Sequence, residues 1–179
     1  MEVESEMILF WTIQILGGVG LVFYVASFQM KTKEKLLAMQ VSSNIFFTVQ
    51  YALSTAWTGA VQTLLGVARG IVFYFFKKRG LGPNKIALVI FEIAIILGTV
   101  LTWENMMSSL PLIGMTANLY GQWQDDMKTV RICAVISAVL WSVYACYAGV
   151  YMSMLTEIFK IISSLIGLWR FRKTNNMQI

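Results

Sequence analysis

One stretch of the chain carries both charges and apolar length: "SMLTEIFKIISSLIGLWRF", Ser153 to Phe171. Glu157, Lys160 and Ser164 recur there at i, i+3 and i+7, which places them on one stripe of a helix. A second ionisable group, Arg69, lies in another apolar segment, with Gln62 on the matching stripe. Asn44, Thr48 and Tyr51 are spaced i, i+4, i+7, as are Ser137, Trp141 and Tyr144. Asn118 sits near the middle of a further apolar stretch, and Glu92 in another. An ionised group at a bilayer centre costs about 2.5–3.5 kcal/mol on insertion scales, so such groups face a bundle interior or water and mark function by default. A cavity built from these side chains would set Trp141, with Tyr51 or Tyr144, as a flat wall. Asn44, Gln62, Asn118 and Glu157 would hold a polar edge, and Thr48 is a further candidate substrate-binding residue on the Asn44 stripe. Arg69 would pair with Glu157 or with an anionic solute, and Lys160 with Glu157. A purely structural reading stands beside this one. There, Glu157 and Lys160 form an intrahelical pair, Arg69 caps carbonyls, and the amides only hold helices together.

These residues need a scaffold that buries them. The chain has 179 residues, 58% hydrophobic and only 13% charged, too few charges for a water-facing surface. Seven apolar segments of roughly membrane length span about 8–28, 35–54, 58–76, 85–102, 109–123, 129–147 and 151–169. The basic residues punctuate them. Lys31, Lys33 and Lys35; Lys77, Lys78, Arg79 and Lys85; Lys128 and Arg131; and Arg170, Arg172 and Lys173 account for twelve of the 14. With the N-terminus outside, all twelve face the cytoplasm, as the positive-inside rule requires. Trp11, Trp57, Trp103, Trp123 and Trp169 fall near segment ends, where an amphipathic ring suits the interface; Trp141 falls well inside. The acidic start "MEVESEM" lacks the basic region of a secretory signal.

The first three and last three segments resemble copies. A shift of 93 brings Gln29 onto Gln122, Thr48 onto Trp141 and Tyr51 onto Tyr144; a shift of 95 brings Gln62 onto Glu157 and Lys78 onto Lys173. On this shift Arg69 falls on Ser164. The expected fold is therefore an all-α polytopic membrane protein of seven transmembrane helices. Residues 1–80 form one three-helix bundle and 105–173 a parallel second, joined by a linker helix at 81–104, with 174–179 a tail.

This 3+1+3 layout is similar to the SWEET/PQ-loop superfamily. "LPLIG" (Leu110 to Gly114), "KTVR" (Lys128 to Arg131) and the run from Trp141 to Lys173 resemble the YgjV-type bacterial inner-membrane family, which also tends to carry an arginine at the place of Arg69. The chain has "SFQ" and "YGQ" where PQ-loop proteins have Pro-Gln, so their proline hinge does not transfer. The resemblance implies a multi-pass protein of the bacterial inner membrane.

The chemistry excluded is as informative. With no histidine, no Ser-His-Asp, Cys-His or HExxH set exists, and no enzymatic activity is expected. Cys133 and Cys146 match no metal or redox spacing. Asp125 and Asp126 are adjacent in a loop and read as solvated, so no metal and no cofactor are expected. The positive charge follows topology and does not indicate nucleic acid. The partners expected are the lipid bilayer and a small polar solute, sugar-like or, by analogy with a vitamin-transporting branch, vitamin-like; a homo-oligomer is left open. Transport by alternating access is the leading function, with a non-transporting receptor or assembly factor as the alternative.

Overall fold

The computed structural model describes residues 2–27, 29–30, 33–80, 84–124 and 126–175. Lys31, Asp125 and residues 176–179 lie outside this set, as do the side chains of Lys33, Lys77, Gln122, Trp123, Arg170, Arg172 and Lys173. Among the described residues there are seven α-helices and no strand: α1 Glu2–Ser27, α2 Lys33–Leu53, α3 Trp57–Lys78, α4 Lys85–Leu101, α5 Ser109–Trp123, α6 Met127–Tyr147 and α7 Tyr151–Asn175. A 3-10 turn, Met106–Ser108, precedes α5. Each helix overlays one expected segment. Two run further: α1 begins within the glutamate-bearing start, and α7 continues through Thr174 and Asn175, where the sequence suggests tail.

Four helical stretches are long and apolar enough to cross a membrane: Val3–Ser27, Trp57–Phe76, Lys128–Tyr147 and Tyr151–Trp169. The other three miss for physical reasons. α4 and α5, at 17 and 15 residues, reach about 26 and 23 Å at 1.5 Å per residue, short of a hydrocarbon core of roughly 30 Å. α2 is long enough, but Gln40, Ser43, Asn44, Thr48 and Gln50 dilute its apolar character.

The burial pattern is that of a protein in oil. Large apolar side chains stand exposed on every helix, and on α4 Ile86, Ile90, Ile93, Leu97 and Val100 form a continuous outward stripe. Gln14, Ser43, Gln50, Thr58, Gln62, Thr63, Arg69, Ser153 and Thr156 are buried instead. Trp11, Trp57, Trp103 and Trp169 are exposed, whereas Trp141 is buried. α1 packs on α2 and α2 on α3; α5 packs on α6 and α6 on α7. α7 meets α1 and α3 meets α5, closing a ring, while α4 lies against α3 and α5.

Hydrogen bonds set the internal repeat more firmly than letters do. Between α2 and α3, Ser54 N donates to Gln50 O, Thr55 N to Ala52 O, Ala56 N to Tyr51 O and Ala60 N to Ala56 O. Between α6 and α7 the same four bonds recur 94 residues on, as Ala148 to Tyr144, Gly149 to Cys146, Val150 to Ala145 and Met154 to Val150. Both turns are Schellman caps, with the left-handed residue at Thr55 (φ 58°) and Gly149 (φ 70°). The side-chain ties obey the same offset. Met152 N donates to Gln14 Oε1 as Thr58 Oγ1 donates to Ser108 Oγ. Ser153 Oγ donates to Gln50 Oε1 as Gly59 N donates to the Tyr144 hydroxyl. A Cβ on Gly20 would meet Phe47, and one on Gly114 would meet Trp141, again 94 apart.

This corrects the register read from the sequence. The shifts of 93 and 95 are each one residue out, because chance identities at helix ends outweigh the few positions that bond. Gln62 corresponds to Thr156, Glu157 to Thr63, Arg69 to Ser163, and Trp141 to Phe47. Tyr51 and Tyr144 are not equivalents: Tyr144 takes the place of Gln50.

A β-branched residue at φ 58° is strained, whereas glycine is not. Thr55→Gly should therefore stabilise the protein by roughly 1 kcal/mol, and Gly149→Thr should destabilise it by a similar amount. Thermal unfolding in detergent, followed by intrinsic fluorescence, checks both signs.

Candidate functional site

The ring encloses two connected hollows. The larger, about 300 Å³, lies toward the end of the bundle where α2 and α6 begin, and reaches Leu37, Gln40, Val130 and Arg131. The smaller, about 70 Å³, lies toward the two Schellman turns and reaches Tyr51, Trp141 and Ser153. They share Asn44, Gly66, Arg69, Asn118 and Lys160. Gly66 matters to this junction because a Cβ there would stand 3.4 Å from the Asn44 amide nitrogen.

Eight of the ten residues singled out from the sequence line the hollows: Asn44, Tyr51, Gln62, Arg69, Asn118, Trp141, Glu157 and Lys160. Two are placed elsewhere. Thr48 spends its hydroxyl on Asn44 O (2.8 Å) and Thr63 Oγ1 (3.0 Å), stitching α2 to α3. Tyr144 accepts the Gly59 N–H at 3.0 Å and serves the seam between the two halves. Gln62 lines the smaller hollow but its amide nitrogen is committed to α4, donating to Ile95 O (2.8 Å) and Thr99 Oγ1 (2.6 Å). Glu92, on α4, accepts from Thr116 Oγ1 at 2.7 Å and ties α4 to α5.

The end near the turns is closed by aromatic packing. Tyr51, Trp141 and Tyr144 sit with ring centroids 5.7, 5.8 and 6.0 Å apart, and Trp141 meets Tyr144 edge-on at 90°. The bonds Ser153–Gln50 and Gly59–Tyr144 cross between the halves at the same level.

Of the charges, Glu157 and Lys160 pair at 2.7 Å, and the Lys160 ammonium stands 5.6 Å from the Tyr24 ring centroid. The sequence left the counter-charge of Glu157 open between Lys160 and Arg69; the geometry selects Lys160. Arg69 is 6% exposed, and its Nη1 has no hydrogen-bond partner among the described residues. The hollow includes groups that sequence reasoning missed. Tyr24 gives no signal within the apolar run of α1. Arg131 reads as a loop charge, yet it stands three residues before Ala134 and ten before Trp141, on the stripe facing the interior. Its guanidinium lies where a Cβ on Gly167 would be.

Asp126 is a cap rather than a ligand. It accepts from the Thr129 hydroxyl (2.7 Å), Thr129 N (3.0 Å) and Lys128 N (3.2 Å). These bonds, the hydroxyl foremost, hold its carboxyl below the ordinary range, so the cap persists at neutral pH and is lost as pH falls through that lowered value. Among the described residues, no group of three or more Cys, Asp or Glu is placed to hold a metal ion.

Apolar exteriors, buried polar groups and an interior hollow together define an integral membrane protein of the multi-helix class. A model of the Imp-YgjV family, described as bacterial inner membrane protein, matches residues 11–175. The chain belongs to this family. No curated protein and no solved structure matches it.

Removing one member of the Glu157–Lys160 pair strands the other in a poorly solvated interior. Glu157→Gln and Lys160→Met should each cost roughly 1–3 kcal/mol, and the double variant should recover much of that loss. A double-mutant cycle on thermal unfolding reads the coupling directly.

Proposed function

We propose that this protein moves a small polar solute across the bacterial inner membrane by alternating access. The observation that carries this reading is the hollow of about 300 Å³, lined in part by polar and charged side chains, between two halves related by a 94-residue offset. On this reading all seven helices span the bilayer, and α2, α4 and α5 are sheltered by their neighbours. Residues 1–80 and 105–173 act as the two moving bundles around a shared site, and α4 within 81–104 links them. The N-terminus lies outside and the C-terminus in the cytoplasm, supported by the alternation of basic loops. The larger hollow then faces the cytoplasm. The aromatic cluster and the two crossed hydrogen bonds form the closed outer gate.

Rocking of the bundles would exchange these ends. The Gln50–Ser153 and Gly59–Tyr144 bonds break together, because the repeat makes them equivalent. Each neutral bond is worth about 1 kcal/mol net, small enough for a gate to open thermally.

The test needs no known substrate. A single cysteine at Thr63, in a cysteine-free background, lines the smaller hollow. Alternating access predicts that a membrane-impermeant maleimide labels it in intact spheroplasts and in inverted vesicles. Crosslinking Gln50→Cys to Ser153→Cys before the Thr63 reporter is read should abolish labelling from outside alone. Labelling restricted to one side in every condition would rule out alternating access and favour a receptor.

A further inference from the structure

The charge around the hollow indicates what it takes. This deepens the transport reading and rests on the same site. Among the described residues, the larger hollow is lined by Arg69, Arg131 and Lys160 and by no carboxylate. The smaller adds one, Glu157, already paired with Lys160 at 2.7 Å. The two together hold three cations against one anion. Positive charge in a cleft with low-dielectric walls focuses its field on whatever enters.

Arg69 is the centre of this arrangement. It lines both hollows, is 6% exposed, and keeps Nη1 without a partner. A buried guanidinium donor left unmatched is costly, and more so in a membrane. The one carboxylate among the described residues lining the hollows, Glu157, is held by Lys160. Gly66 and Gly70 flank Arg69 on its own helix and line the larger hollow with it. A neutral sugar would leave the excess charge uncompensated, and a cation would be repelled. A planar oxyanion matches the guanidinium fork through two parallel N–H···O bonds. The amides of Asn44 and Asn118 stand at the same junction.

We propose that the solute is a small soluble oxyanion, a carboxylate or phosphate ester, whose charged group is held by Arg69 with Lys160 and Arg131 contributing the surrounding positive field. The repeat sharpens this assignment. The counterparts of Arg69, Lys160 and Arg131 at the 94-residue offset are Ser163, Gly66 and Leu37, all neutral. The frame is two-fold but the positive charge is not, so an anion binds in one orientation.

The experiment uses the full chain in phosphatidylcholine nanodiscs, with thermal unfolding measured against sodium succinate, inorganic phosphate and glycerol 3-phosphate. Sodium chloride at matched ionic strength, sorbitol and dioctanoyl phosphatidate complete the set. At least one soluble oxyanion should raise Tm saturably, beyond chloride and sorbitol. Arg69→Gln should weaken its apparent Kd by at least about tenfold, and Arg69→Lys by less, because lysine supplies charge without the fork. Arg131→Gln, a milder change, should weaken it by about threefold through the field alone. Equal responses to chloride or sorbitol would overturn the proposal. So would an unchanged Kd in both Arg69→Gln and Arg131→Gln, or a response to phosphatidate only, which would mark a lipid headgroup. Flux in proteoliposomes separates the two readings. Anion binding without flux removes transport and keeps the anion site, whereas flux of a neutral solute indifferent to Arg69→Gln removes the anion site and keeps transport.

Discussion

A polar group in hydrocarbon has no water to turn to. Every other feature of this chain follows from that constraint. Backbone groups are satisfied within helices, and polar side chains rotate toward the bundle axis, where they meet one another. Thr63 bonds Thr48, Gln62 reaches Thr99, Ser153 reaches Gln50, and Thr116 reaches Glu92. These ties hold together a ring whose outer surface is dominated by Ile, Leu, Val, Met and aromatic side chains. In lipid those apolar groups give no net drive for association, so small residues and interior hydrogen bonds must supply it. The glycines show how. Gly17 leaves room for Gln50, Gly20 for Phe47 and Gly114 for Trp141, while Gly18, between the first two, faces open space.

Symmetry and chemistry divide the labour. The turns, the Schellman caps and the crossed ties repeat at 94 residues because they are mechanical: both bundles must hold the same shape to close one ring. The ionisable groups that line the hollows do not repeat. Glu157 matches Thr63, Lys160 matches Gly66 and Arg69 matches Ser163. A duplicated frame thus encloses hollows whose charge is not duplicated. Thr55 shows the cost of keeping the frame where the sequence has drifted, since it adopts a backbone angle that glycine holds at the equivalent turn.

Much of the lining of the hollows was legible in the sequence. Arg69, Glu157 and Lys160 stood out because charge is so improbable in an apolar span, and they do converge on the hollows. Asn44 and Trp141 were legible from helical spacing, and Asn118 from its place near the middle of an apolar segment. Thr48 and Tyr144 shared that spacing but not the role. A stripe names a helix face, not which of two neighbouring surfaces, cavity or seam, a given side chain reaches. Arg131 was hidden for the opposite reason. Near a helix start, a basic residue serves topology so often that its inward direction carries no separate mark.

The sequence by itself determined that the chain is helical and apolar outside, how many helical segments it has, and which charges need shelter. These follow from local rules of hydropathy, length and charge placement, which act along the chain. Only the tertiary structure decided the register of the repeat, the partner of Glu157, the closure of one end by Tyr51, Trp141 and Tyr144, and the unmatched state of Arg69. Most of those depend on contacts between residues about ninety to a hundred positions apart, and even the Glu157–Lys160 pair, three residues apart, was left open until Arg69 was placed. There a slip of one residue turns a side chain by about 100° around its helix, from cavity to seam.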